Sequence, residues 1–310
     1  MRVLVVTNLW PTPEAPARGG FVKDQVEALA AIDGLSVELF TFSPGSREYL
    51  RAAAAIRARY RNERFDVVHA QYGLCGWSAL AARGAPRVVT FHGTDLAHHY
   101  AGPLSRALVR LVDLPAPVSA TLARTGLPHA RPPIAVLPCG VNLDRFGRID
   151  RAEARGKLGL DPGGRYLLFP SDPRRPEKRH DLARRLADAT QATLLAYAER
   201  PPEDVPLLIN AVNAVVATSD REGFGLAPLE ALACDVPVLS TDVGIARLAL
   251  EGVEGTLCAP FDERRWAEAL APHLEHEDSR IDGRARAALF DRNRLAQRVF
   301  HAYRDLTEGA

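Results

Sequence analysis

Apolar residues in this chain come in short unbroken runs. Each run is followed by a polar, glycine- or proline-broken segment and then by apolar residues at helical spacing. The run over 3–7 ends in polar residues, as a central parallel strand does. Arg18-Gly19-Gly20 closes the loop behind it, and a helix from Phe21 lines up Val22, Val26, Leu29 and Ala30 on one face. Strands at 37–41, 66–70, 87–91 and 116–119 follow, separated by helices over 49–60, 74–82 and 104–112. After a proline-rich stretch, 134–137 reads as another strand. This alternation predicts an α/β chain with doubly wound parallel sheets, whose ligands bind beyond the carboxyl ends of the strands.

The best linker is 138–146, a strand exit rich in Pro, Gly and turn residues, followed by a charged helix over 148–157. It predicts a boundary between 140 and 151, with domains of 1–145 and 146–310. The second half starts afresh with a strand at 166–169, a helix at 181–189 and a strand at 192–196. A helix running into a strand over 207–217, strands at 236–240 and 256–258, and a helix at 263–274 complete it. A last helix over 284–306 sets Leu295, Val299 and Ala302 on one side and is a candidate to cross back to the first domain. The halves share an architecture without a convincing sequence repeat.

Composition narrows the class. A chain of 310 residues fits two domains, and 25% charged with 47% apolar residues is the balance of a soluble globular protein. A net charge of +1 argues against nucleic acid as a partner. The four cysteines lack CxxC spacing, which favours reduced thiols in the cytoplasm over disulfides or a zinc site. No apolar run reaches the ~18 residues that span a bilayer, so membrane contact is expected to be peripheral, at the inner face. Arg51, Arg57, Arg59, Arg61 and Arg64 suit either a solvated helix face or an anionic acceptor or membrane surface.

Chemistry concentrates in 218–240. Gly223 and Gly225 break a loop and let backbone approach a ligand. A helix starts near Leu226 with Pro228 in its first turn. Glu230 is the single charge between Gly223 and Cys234, and a carboxylate among such neighbours needs donors, which sugar hydroxyls could supply. The alternative is that Glu222 and Glu230 are a solvated loop residue and an exposed helix residue. Arg174, Arg175 and Lys178 follow the strand at 166–169 and suit a diphosphate, or form a solvated basic loop. His92 stands directly at the tip of the strand over 87–91, and Gly19-Gly20 offers either a phosphate-binding turn or a plain one.

Taken together these residues resemble the retaining nucleotide-sugar glycosyltransferases of the family 4 (group 1) type, over nearly the whole chain. The resemblance rests on Val5 to Asn8, Gly19-Gly20, His92-Gly93-Thr94-Asp95, Gly140-Val141-Asn142 and Arg175 to Lys178. Its most specific part is the E-x7-E element, Glu222-Gly-Phe-Gly-Leu running to Glu230-Ala-Leu-Ala. It implies a GT-B fold, two Rossmann-like domains facing across a cleft, with acceptor bound by the first and nucleotide-sugar by the second. It assigns Glu230 to the ribose hydroxyls of the donor. Glu222 and the backbone of Phe224, Gly225 and Leu226 go to the transferred sugar and phosphate. Arg174, Arg175 and Lys178 go to the diphosphate, Gly19 and Gly20 to donor and acceptor approach, and His92 to a sugar hydroxyl.

No cofactor and no metal are implied; there is no DxD motif, Asp220-Arg221-Glu222 being the nearest approach. A UDP-sugar is the default donor, and a glycan, glycolipid or small molecule the acceptor. The chain departs from the pattern in three places. Pro170-Ser171-Asp172 replaces a basic residue at a strand end, Gly244-Ile245 stands where Gly-Gly is usual, and the stretch 196–207 is trimmed. These departures keep two alternatives in view, a GT-B-like epimerase or phosphorylase and an inactive nucleotide-sugar-binding scaffold.

Overall fold

The structure, a computed structural model, describes residues 1–129, 133–197 and 202–308. The chain divides into two compact units, Met1–Gly140 with Arg292–Ala310, and Val141–Asp291. The expected division at 145/146 thus falls at Gly140, and the C-terminal segment belongs to the first unit.

The first unit is built on β1 (Arg2–Thr7), β2 (Ser36–Thr41), β3 (Val67–Gln71), β4 (Arg87–Phe91) and β5 (Leu114–Pro117). They form one parallel sheet in the order β2-β1-β3-β4-β5. β3 is buried along its whole length, as a strand covered by helices on both faces must be. Helix Gly20–Ala30 packs with the terminal helix Arg292–Glu308. Helices Ser46–Arg59, Gly73–Ala79 and Ala101–Leu108 lie side by side. Right-handed crossovers from this strand order put those three on the opposite face of the sheet from the first pair.

The segment over 134–137 does not form the expected strand, and prolines explain why. Ala135 and Leu137 donate to the Pro115 and Pro117 carbonyls at 3.3 and 3.1 Å. The reciprocal bond of a parallel ladder needs an N–H at residue 117, and proline has none. Just beyond, a Cβ on Gly140 would meet the Arg292 Cα at 2.4 Å. The outgoing and returning strands of the chain therefore touch at a position only glycine fits.

The second unit repeats the plan with β6 (Tyr166–Phe169), β7 (Thr193–Ala196), β8 (Ala214–Ala217), β9 (Val238–Ser240) and β10 (Leu257–Cys258). Their order is β10-β9-β8-β6-β7, all parallel. Numbered from its own first strand, each sheet reads 2-1-3-4-5, so each has its switch point between its first and third strands. The core under the second sheet gathers Leu167, Phe169, Leu186, Val216, Leu239, Trp266 and Leu270.

The single helix expected over 284–306 is two, Arg284–Ala288 and Arg292–Glu308. Between them Val141 donates to the Phe290 carbonyl at 2.9 Å and pairs with Asp291 as an isolated bridge. That extended pairing cannot coexist with helical φ/ψ, so the helix breaks where the chain leaves the second unit.

Candidate active site

In the second unit the loops that leave β6, β8 and β9 converge on the β6/β8 switch point. Phe169, Pro170 and Ser171 line a crevice there with Ala217, Ser219, Glu222, Gly225 and Pro228. The loop after β6 ends in a short 3-10 turn, Pro176–Lys178, followed by Arg179 in a left-handed conformation at φ 53°. Thr218, at the tip of β8, donates its hydroxyl to the Lys178 and Arg179 carbonyls at 3.1 and 2.9 Å. Asp220 N–H donates to the Glu177 carbonyl at 2.9 Å. The basic turn is therefore sewn to β8 and positioned by it.

This stitching buries Lys178. Its Nζ donates to Glu222 Oε1 at 2.5 Å, and the Ser219 hydroxyl donates to the same oxygen at 2.8 Å. Glu222 in turn sits on a loop braced by β9. Ile245 N–H donates to the Phe224 carbonyl at 2.7 Å, and a Cβ on Gly244 would meet that carbonyl oxygen at 2.1 Å. The position that departs from Gly-Gly thus keeps the glycine the packing requires, while Ile245 is buried. Gly225 takes φ +82°, and helix Ala227–Ala233 follows with Pro228 in its first turn.

Glu230 lies in that first turn, half-buried, with the Tyr197 hydroxyl 3.5 Å from its Oε2. Burial, and then the charge of Glu230, push the Tyr197 phenol well above its ordinary pKa, so it stays a proton donor beside the carboxylate. The two arginines expected beside Lys178 are arranged differently. Arg174 is bonded to Asp172 through Nε and Nη2, with 84% of its side chain exposed, and Arg175 pairs with Glu177 at 2.6 Å. Lys178 and Glu222 are brought together; Arg174 and Arg175 are held by neighbouring carboxylates on the loop surface. Of the trimmed stretch, 198–201 lie outside the described residues.

The first unit holds a second polar cluster at its own strand tips. His92 Nε2 lies 2.9 Å from Gln71 Oε1, and its ring centroid is 5.0 Å from that of Phe21. That contact sets the Gly19-Gly20-Phe21 turn beside His92. Gly19 is left-handed at φ +65°, and a Cβ there would meet the Leu9 carbonyl oxygen at 2.3 Å; a Cβ on Gly20 would meet nothing within 4 Å. Asp95, fully buried, staples the loop: its carboxylate accepts from the Gly73, His92 and Gly93 N–H groups at 2.8–3.2 Å. Burial raises the Asp95 carboxyl above its ordinary pKa, and the backbone donors offset only part of that rise.

Behind His92 runs a buried network. Gln71 Nε2 donates to Gln25 Oε1 at 2.5 Å, and His69 lies between Thr90 Oγ1 at 2.7 Å and the Tyr303 hydroxyl at 2.5 Å. Burial lowers both imidazoles to a pKa of about 3, His92 adding to the effect at His69, so both rings are neutral at physiological pH. Sequence reasoning missed Ser219, Tyr197, Gln71 and Tyr303. Ser219 and Gln71 had a usable signal, since each stands at a strand tip. Tyr303 had none, because its partner lies 234 positions away.

Among the described residues no group of three or more His, Cys, Asp or Glu could hold a metal, and no helix is long and apolar enough to cross a membrane. All four cysteines are free thiols.

Both halves of the chain are similar to known proteins. Residues 1–145 match Glycosyltransferase Family 4 and residues 165–276 match Glycosyl transferases group 1. The D-inositol 3-phosphate glycosyltransferase of Thermobispora bispora is 31% identical over 287 residues, covering 74% of this chain and 67% of that protein. The one from Frankia alni is 30% identical over 325 residues, covering 83% and 77%. Sucrose-phosphate synthase from Thermosynechococcus elongatus has the same fold with a TM-score of 0.76 at 21% identity, covering 100% of this chain and 99% of that one. Anabaena Alr3699/HepE, solved in complex with UDP-glucose, has a TM-score of 0.71 at 17% identity, covering 99% and 100%. With two parallel α/β units, the E-x7-E element on its braced loop and these matches along both halves, the chain belongs to the family 4, group 1 glycosyltransferases.

Proposed function

We propose that this glycosyltransferase moves a sugar from a nucleoside diphosphate donor with retention of anomeric configuration. The observation that carries the reading is the Lys178–Glu222 pair at the β6/β8 switch point, beside the glycine-opened loop of Gly223 and Gly225. A cation held where water is largely excluded stabilises the negative charge that grows on the leaving diphosphate, often the largest single contribution to such a transfer. Glu222, already gripped by Lys178 and Ser219, offers its second oxygen to a sugar hydroxyl. Glu230, with Tyr197 as a neighbouring donor, takes the ribose hydroxyls. Arg175 reaches the diphosphate by exchanging Glu177 for phosphate, and Arg174 assists from the loop surface. The amides of Phe224, Gly225 and Leu226 complete the donor site.

In the first unit His92 acts as a neutral hydrogen-bonding group toward a sugar hydroxyl, and Gly19-Gly20 lets backbone come close to substrate. No nucleophile is assigned. UDP-sugar is the preferred donor, as Alr3699/HepE was solved with UDP-glucose. Its relatives named for D-inositol 3-phosphate favour a small polyol or phosphorylated polyol as acceptor over a long glycan. No step calls for a metal or other cofactor.

The test is nucleotide release from UDP-, GDP-, dTDP- and ADP-sugars with a panel of inositol phosphates, simple sugars and glycolipids, with the product's anomeric proton read by NMR. A retained anomer from one donor is expected. An inverted anomer would overturn the stereochemistry. Intact nucleotide binding with no release from any pair would make the protein a nucleotide-sugar-binding scaffold.

A further inference from the structure

Five of the seven large hydrophobic side chains exposed among the described residues belong to one region of the first unit: Leu50, Trp77, Tyr100, Leu104 and Leu111. They sit on or beside helices Ser46–Arg59, Gly73–Ala79 and Ala101–Leu108 with its extension Val109–Leu111. Two bonds tie these helices into one layer. Ser78 Oγ donates to the Tyr49 carbonyl at 2.8 Å, and Trp77 Nε1 donates to the Leu104 carbonyl at 3.2 Å. Leu104, Ala107 and Leu111 recur at i, i+3 and i+7, so an apolar stripe runs along the solvent side of the last helix. Such a stripe is normal on a core-facing side; here Leu104 and Leu111 are 52% and 50% exposed.

The charge along these helices is predominantly positive. Their single acid is the half-buried Glu48, taken up by Arg51 at 2.6 Å, against Arg47, Arg57 and Arg110. Those three arginines are exposed and make no ion pair among the described residues. Arginines flanking exposed Leu, Trp and Tyr can lay their stems on apolar surface and keep the guanidinium in a polar layer. Trp and Tyr prefer the same boundary between apolar and wet environments.

We propose that this three-helix face docks the enzyme onto an anionic phospholipid surface. The apolar ridge enters the headgroup layer and the arginines meet lipid phosphates. A second copy of the chain is the poorer occupant, because pairing this face with itself sets unpaired arginine against arginine. Each arginine near an anionic leaflet raises partitioning by roughly fivefold, and the effect is lost with salt.

The test uses the whole chain and vesicles of phosphatidylcholine alone or mixed equally with phosphatidylglycerol. Co-sedimentation is expected with the mixed vesicles at low salt and not with phosphatidylcholine. The Leu104→Glu/Leu111→Glu variant should lose at least tenfold in binding. The Arg47→Ser/Arg57→Ser/Arg110→Ser variant, which keeps the ridge, should lose roughly a hundredfold. Circular dichroism melts check that both fold. Equal binding to both vesicle types, or none to either, overturns the proposal. So does a wild-type dimer in analytical ultracentrifugation that the Leu104/Leu111 variant converts to monomer.

Discussion

Lys178 and Glu222 stand 44 positions apart in the chain, and their charged groups meet at 2.5 Å. Neither could hold this place alone. Lys178 is fixed because Thr218 grips the carbonyls of its turn, and Glu222 because the Gly244–Ile245 loop supports Phe224. With side-chain exposures of 10% and 21%, each charge depends on the other more than a surface pair does.

Lys178→Ala is therefore expected to lower kcat by about 10²–10³ while donor KM changes less, as for a group acting on charge that develops in the transition state. It should also cost about 1–3 kcal/mol of stability, because Glu222 loses a charged donor. Steady-state kinetics and urea unfolding read the two effects separately. Unchanged turnover would move the diphosphate site elsewhere.

Glu230→Ala should weaken nucleotide binding by about 10–100-fold, the worth of a charge-assisted hydrogen bond pair. Calorimetry with UDP reads it directly. Tyr197→Phe removes the neighbouring hydroxyl and should alter nucleotide affinity far less, since Glu230 keeps both oxygens for the ribose.

Gly20→Ala and Gly244→Ala separate substrate approach from folding. Open space around Gly20 means alanine there leaves the melting temperature unchanged or slightly raised, while activity falls if substrate comes close to that backbone. At Gly244 the left-handed backbone at φ +60° and the Phe224 carbonyl both oppose a side chain. A loss of roughly 1–3 kcal/mol is expected, with donor affinity falling as the Glu222 loop shifts. Paired melts and kinetics on the two variants check this.

Acid should destabilise the first unit through His69. Its folded pKa of about 3 lies below the ~6.5 of an unfolded histidine, so the unfolded chain binds the proton first. The stability His69 contributes is complete above pH ~6.5, erodes as pH falls, and is gone below about 3. Between pH 6.5 and 5 this is up to about 2 kcal/mol. Urea midpoints across that range should fall for the wild type and fall less for His69→Gln.

Much of this architecture is legible along the chain. β6 and β8 read directly as apolar runs because strands covered on both faces need nothing else. The E-x7-E element is local too, since a loop and one helix carry both glutamates. Where the reading failed, the deciding partner was distant. The strand expected over 134–137 lacks its ladder because the neighbour it meets carries Pro117. The helix expected over 284–306 breaks because Val141 pairs with Asp291.

The sequence by itself determined the alternation of strands and helices, the glycine-opened loop and the carboxylates that loop carries, because those follow from local periodicity and backbone freedom. Only the tertiary structure decided that Glu222 pairs with Lys178 while Arg174 and Arg175 turn to Asp172 and Glu177, and that Tyr303 closes on His69. The reason is physical: Lys178 and His69 reach partners that the packed fold brings within hydrogen-bond distance from far along the chain, while Arg174 and Arg175, on the loop surface, keep carboxylates two residues away.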